Sequence, residues 1–124
     1  MSFAALQYQN TRVTTASPVA IVVSLYDGAI RFLREAITQH EQGQIAKRGV
    51  ALSKAFAIVS ELSISLDHEA APEMSAELAR LYDFVLRSIS EATAKADPKP
   101  LDGAIRVLDS LRSAWSELAA RGGT

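Results

Sequence analysis

Few side chains in this sequence could carry covalent or metal chemistry. His40 and His68 are the only histidines and there is no cysteine, which leaves a zinc site without its usual donors. The stretch HEQG at 40–43 raises phosphoryl transfer, because histidine phosphotransfer domains are four-helix bundles with a His-x-x-Lys-Gly pattern in which the imidazole accepts phosphate. The residue before the glycine is Gln42 rather than lysine, and His40 falls at a helix end rather than mid-helix. No Ser/His/Asp order, glycine-rich phosphate loop or pair of carboxylates suited to acid–base work is evident. The expectation is a protein with no catalytic residue, no metal, no cofactor and no small-molecule substrate.

Two spacings recur. LYD appears at 25–27 and 81–83, and DGAIR at 27–31 and 102–106. Asp-Gly between apolar residues is a hairpin signal, yet around Asp27 and Gly28 an apolar 3-4 periodicity continues without a phase break, so the pair is helical. A glycine inside a helix costs about 1 kcal/mol relative to alanine. Either a neighbouring helix crosses there too closely for a Cβ, or Tyr26, Asp27 and Gly28 belong to a docking surface. Asp27 by default is solvated or bonded to a neighbouring polar group. Tyr26 and Tyr82 occupy equivalent phases of two helices, where tyrosine either packs with its hydroxyl on a partner or lends a groove a polar tip. The second Asp-Gly falls in a first turn, where an acid suits the positive helix end and glycine does little harm. The two copies do not make a repeat unit.

The elements that must position these residues are marked by prolines at 18, 72, 98 and 100, each just ahead of an apolar-periodic segment. Ser17 is a suitable N-cap, and Val23, Tyr26, Ile30, Leu33 and Ile37 define a helix over about 18–42. Leu52, Ala55, Val59, Leu62 and Leu66 define a second over about 47–66. A third, over about 72–95, carries Met74, Leu78, Leu81, Val85, Ile89 and Ala92. The fourth, over about 100–120, carries Leu101, Ile105, Leu108, Leu111, Trp115 and Leu118, and RGGT ends it. Rods of about 30 Å with short links close naturally as an all-α, antiparallel four-helix bundle over 18–120, with 121–124 a flexible end.

The chain has 124 residues, 48% hydrophobic and 22% charged, enough for one globular core. Net charge is −1 with lysine and arginine interspersed, so no basic stripe for nucleic acid or anionic lipid is visible. The longest apolar run, Val19 to Val23, is far short of the roughly 20 residues of a membrane span. No signal peptide is apparent, and the absence of cysteine fits a reducing cytoplasm. Residues 1–17 stand apart: Phe3, Leu6, Tyr8 and Val13 with one charge, Arg12, read as an apolar arm that packs on a groove of the bundle.

Together, YQ at 8–9, TASP at 15–18, LYDGAI at 25–30, LYDF at 81–84 and LRSAW at 111–115 resemble, in order and spacing, the FliS family of flagellin-specific export chaperones. TASP followed by LYDGAI is the most specific part. The resemblance implies a bacterial cytoplasmic four-helix bundle that binds the disordered C-terminal segment of flagellin, prevents premature polymerisation and aids delivery to the export gate of the flagellar type III apparatus. It implies a client that wraps the bundle and an N-terminal arm occupying a groove the client can take. Carried over residue by residue, it places Tyr8, Gln9 and Val13 in the displaceable arm, Ser17 and Pro18 at the start of the first helix, and Tyr26, Asp27, Gly28 and Tyr82 at the groove. From the residues alone, a phosphotransfer bundle using His40 and a generic helical adaptor stay open.

Overall fold

Residues 18–121 are described by a computed structural model with four helices: α1 (Pro18–Glu41), α2 (Ile45–Ile64), α3 (Pro72–Lys95) and α4 (Leu101–Ala120). The expected arm at 1–17, with Tyr8, Gln9, Val13 and Ser17, lies outside the described residues. The helix ends agree with the periodicity to within two residues, and capping chemistry accounts for the shifts. Gly43 takes a positive φ of 71°; its amide reaches the His40 carbonyl at 3.0 Å and the Gln44 amide reaches Gln39 at 2.8 Å. That paired closure stops α1 at once and lets α2 begin at Ile45, before Leu52 starts the apolar seam. Leu66 consequently lies past the end of α2, in a link held by Asp67, whose Oδ1 accepts from the Glu69 and Ala70 amides.

α3 ends differently. Ala96 adopts the left-handed conformation, φ 52° and ψ 43°, and the Asp97 amide returns to the Ala92 carbonyl at 3.1 Å. A position that favours glycine is here filled by alanine. Asp97 Oδ1 then accepts from the Lys99 amide at 3.0 Å, turning the chain into α4.

Because the links are short, successive helices run antiparallel. α1 packs against α2 and α4, and α3 packs against the same two. No strand occurs among the described residues, and no helix is long and apolar enough to cross a membrane. Leu33, Ala55, Val59, Val85, Ala104 and Leu108 are sealed in the centre. Burial fades toward the end of the bundle that carries Pro18 and Arg121: Met74 is 56% exposed, Ile64 79% and Leu118 38%. Ile21, Val22 and Trp115 are only partly covered there.

Candidate interaction surface

The site residues expected from the sequence are dispersed by the fold between core and surface. Tyr26 and Tyr82 are both buried. Their hydroxyls meet at 2.6 Å, joining α1 to α3 across the diagonal, with ring centres 6.4 Å apart and planes tilted by 41°. Burial pushes the Tyr26 hydroxyl above its usual range, against the opposing effect of hydrogen bonds from Tyr82 and Trp115. Burial raises Tyr82 further still, reinforced by Tyr26. Both phenols are therefore neutral pins of the core rather than acids or nucleophiles.

Asp27 and Gly28 flank that pin. Asp27 is half-exposed and paired with Arg112 of α4, so it bonds to a neighbouring polar group. Gly28 is buried, and a Cβ there would meet only Ile58 Cδ1, at 3.4 Å. This is ordinary contact with the movable end of a side chain, so the crossing of α1 and α2 does not demand glycine. The other Asp-Gly is the tighter one. A Cβ on Gly103 would come within 3.3 Å of the Phe84 ring, which lies half-exposed over the first turn of α4.

His40 sits in the last turn of α1, where Arg48 Nη1 donates to its Nδ1 at 2.9 Å. A guanidinium cannot accept, so Nδ1 is the acceptor in this contact.

An open apolar feature lies beside the buried seam that the periodicity marks. Between the first half of α2 and the last turns of α3 runs a groove of about 830 Å3. Its walls are small residues, among them Ala46, Gly49, Ser53 and Ala57 on α2 and Thr93 and Ala94 on α3, with Leu52 and Ile89 also lining it. On α2 these small residues recur at spacings of three and four, which aligns them along one ridge. Val50 and Phe56 stand half-exposed beside it. Gly49 lies inside the helix, yet a Cβ there would meet nothing within 4 Å. Its missing side chain leaves space open to a partner and gains no internal packing. Two signals in the sequence point here: that glycine inside the helix, and the apolar residues Val50 and Phe56 of α2, out of phase with the buried seam.

The profile of the family described as "Flagellar protein FliS" matches residues 1–122. The chain belongs to the FliS family. Among its relatives, the "Flagellar secretion chaperone FliS" of Vibrio cholerae serotype O1 is 34% identical over 109 residues, covering 88% of this chain and 80% of the relative. The protein of the same name from Salmonella typhimurium is 32% identical, covering 88% and 82%. That from Bacillus subtilis is 30% identical, covering 89% and 81%. In this FliS chain the LYD pieces that carry the family resemblance are the ones whose tyrosines pin α1 to α3, while the α2–α3 groove lies nearer the opposite end of the bundle from Pro18.

Proposed function

We propose that this chain is a non-enzymatic chaperone of the bacterial cytoplasm that binds the C-terminal segment of flagellin. It keeps that segment from polymerising before export and helps deliver it to the flagellar export gate. The observation that carries this reading is the groove between α2 and α3, walled by small residues and open at Gly49. Small walls admit the backbone of a helix, and an apolar face laid between two helices is the usual way an amphipathic segment is held. A client that is disordered when free spends part of its interaction energy on ordering, so affinity stays moderate and cargo can be released. Membership of the FliS family and the name its relatives carry, flagellar secretion chaperone, support the choice of a flagellar client.

In this proposal the arm, with Tyr8, Gln9 and Val13, is an internal competitor that the client displaces, while Ser17 belongs with Pro18 to the start of the first helix. Pro18 starts the bundle beyond it. Tyr26 and Tyr82 act indirectly, by fixing how α1 and α3 face each other; Asp27 and Gly28 shape the same region. The test is to mix the full chain with a peptide of the flagellin C-terminal segment at micromolar concentrations and follow complex formation by calorimetry. A stoichiometric complex is expected, and its absence overturns the reading.

A further inference from the structure

Ion pairing in the bundle is lopsided. Arg80, Arg87 and Lys95 on α3 and Arg112 and Arg121 in or just after α4 each meet a carboxylate. Across the face made by α1 and α2, the cations have no carboxylate partner among the described residues. Arg31 and Lys54 lie over the Phe32 ring, 5.3 and 5.4 Å from its centre. Arg48 is bonded to His40; Lys47, and Arg34 on the side of α1 toward α4, stand in no ion pair among the described residues. α2 carries Lys47, Arg48 and Lys54 against a single acid, Glu61, on a chain whose net charge is −1.

Two of these cations, Lys47 and Lys54, rim a hollow of about 350 Å3 between α1 and α2. Phe32, Val50 and Ala51 make its apolar part, Lys47 and Lys54 its edge, and Glu35 is its one carboxylate. Ala46, Val50 and Lys54 line both this hollow and the α2–α3 groove, so the two meet over the crest of α2. Lys47 and Lys54 are two turns apart on one face, about 10.5 Å along the axis. In a polyproline II stretch, carboxylates three residues apart lie on one face about 9.3 Å from each other, nearly that spacing.

We infer that this hollow holds an acidic, apolar stretch of the client chain. The stretch leaves the α2–α3 groove over Val50, seats an apolar side chain against Phe32 and sets carboxylates on Lys47 and Lys54. A nucleic acid or an anionic bilayer would use the charges and leave the Phe32–Val50 surface unfilled; a polypeptide uses both. The inference rests on the flagellin reading and specifies the chemistry of the bound segment.

The test titrates the flagellin C-terminal peptide into the full chain and into its Lys47→Glu/Lys54→Glu variant, at low salt and at about 1 M salt, where charges are screened within a few ångströms. Both lysines are exposed, so the variant keeps the helical circular dichroism of the parent. Low-salt affinity falls about tenfold in the variant, with the difference closing at high salt. A peptide whose acids are replaced by their amides weakens equally on the unaltered chain. If peptide binds but neither change weakens it, this inference fails while the flagellin reading stands. If the unaltered chain binds no peptide, both fail. If the lysine pair governs capture by phosphatidylserine vesicles and leaves peptide binding untouched, the hollow is a lipid site and the inference is wrong.

Discussion

The Tyr26 and Tyr82 hydroxyls, 2.6 Å apart, join two helices that face each other diagonally across the bundle and share the same two neighbours. Neither phenol is exposed, so the pair is a buried hydrogen bond whose partners fail together or separately. Tyr82→Phe removes one hydroxyl and costs about 1 kcal/mol; Tyr26→Phe also strips the acceptor beside Trp115 and costs about 1–3 kcal/mol. The double variant costs less than the sum, since no phenol is left without its mate. Urea unfolding of the set closes the cycle, and strict additivity would show that the bond does not couple the helices.

The same pair gives the bundle an alkaline limit. Both hydroxyls are raised from their ordinary value of 10.0 by burial. Above about pH 10 the unfolded chain has lost protons that the native chain keeps, so stability declines as pH rises, by up to about 1.4 kcal/mol per unit for each tyrosine. Below that pH the contribution is constant. Denaturation midpoints taken from pH 8 to 11 therefore fall only in the upper part of the range, and the fall is smaller for Tyr82→Phe.

Periodicity made the helices legible, and proline and glycine placed their ends, because core burial and capping act within one or two turns of the residue concerned. It also put Tyr26 and Tyr82 on the inner faces, without telling whether the hydroxyls meet each other or line a groove. Surface features assembled from two helices were hidden. Phe32 and Lys54 are adjacent only because the Gly43 turn folds α2 back on α1, and the near-neutral net charge masks the resulting basic face. Gly28 stood out in the sequence, yet the helical glycine with open space beside it is Gly49, which belongs to none of the motifs that carry the resemblance.

The end of α3 can be improved. Ala96 holds a left-handed conformation with φ 52°, a conformation that costs a side chain about 1–2 kcal/mol and glycine little. Ala96→Gly should raise the unfolding free energy by about 1 kcal/mol even though glycine is more flexible when unfolded. A lower midpoint in urea would mean that the Asp97 return to Ala92 is not retained.

Arm deletion separates cover from core. A chain beginning at residue 17 keeps Pro18 and the four helices, so its far-ultraviolet circular dichroism should remain that of a helical bundle. If the arm competes with client, the shortened chain binds the flagellin peptide more tightly. Loss of cooperative unfolding would instead make the arm part of the core and remove the displacement step.

Gly49 offers the sharpest contrast between stability and binding. An added methyl would meet nothing within 4 Å, so Gly49→Ala should stabilise the isolated bundle by up to about 1 kcal/mol through helix propensity alone. Gly49→Leu also leaves the core untouched, but its side chain stands in the groove beside Ser53 and Ala57. Peptide affinity should then drop in the order glycine, alanine, leucine while the thermal midpoints of both variants stay at or above the parent's. If Gly49→Leu binds the client unchanged, the space at Gly49 is not part of the binding surface, and the apolar residues along α2 must be covered in some other way.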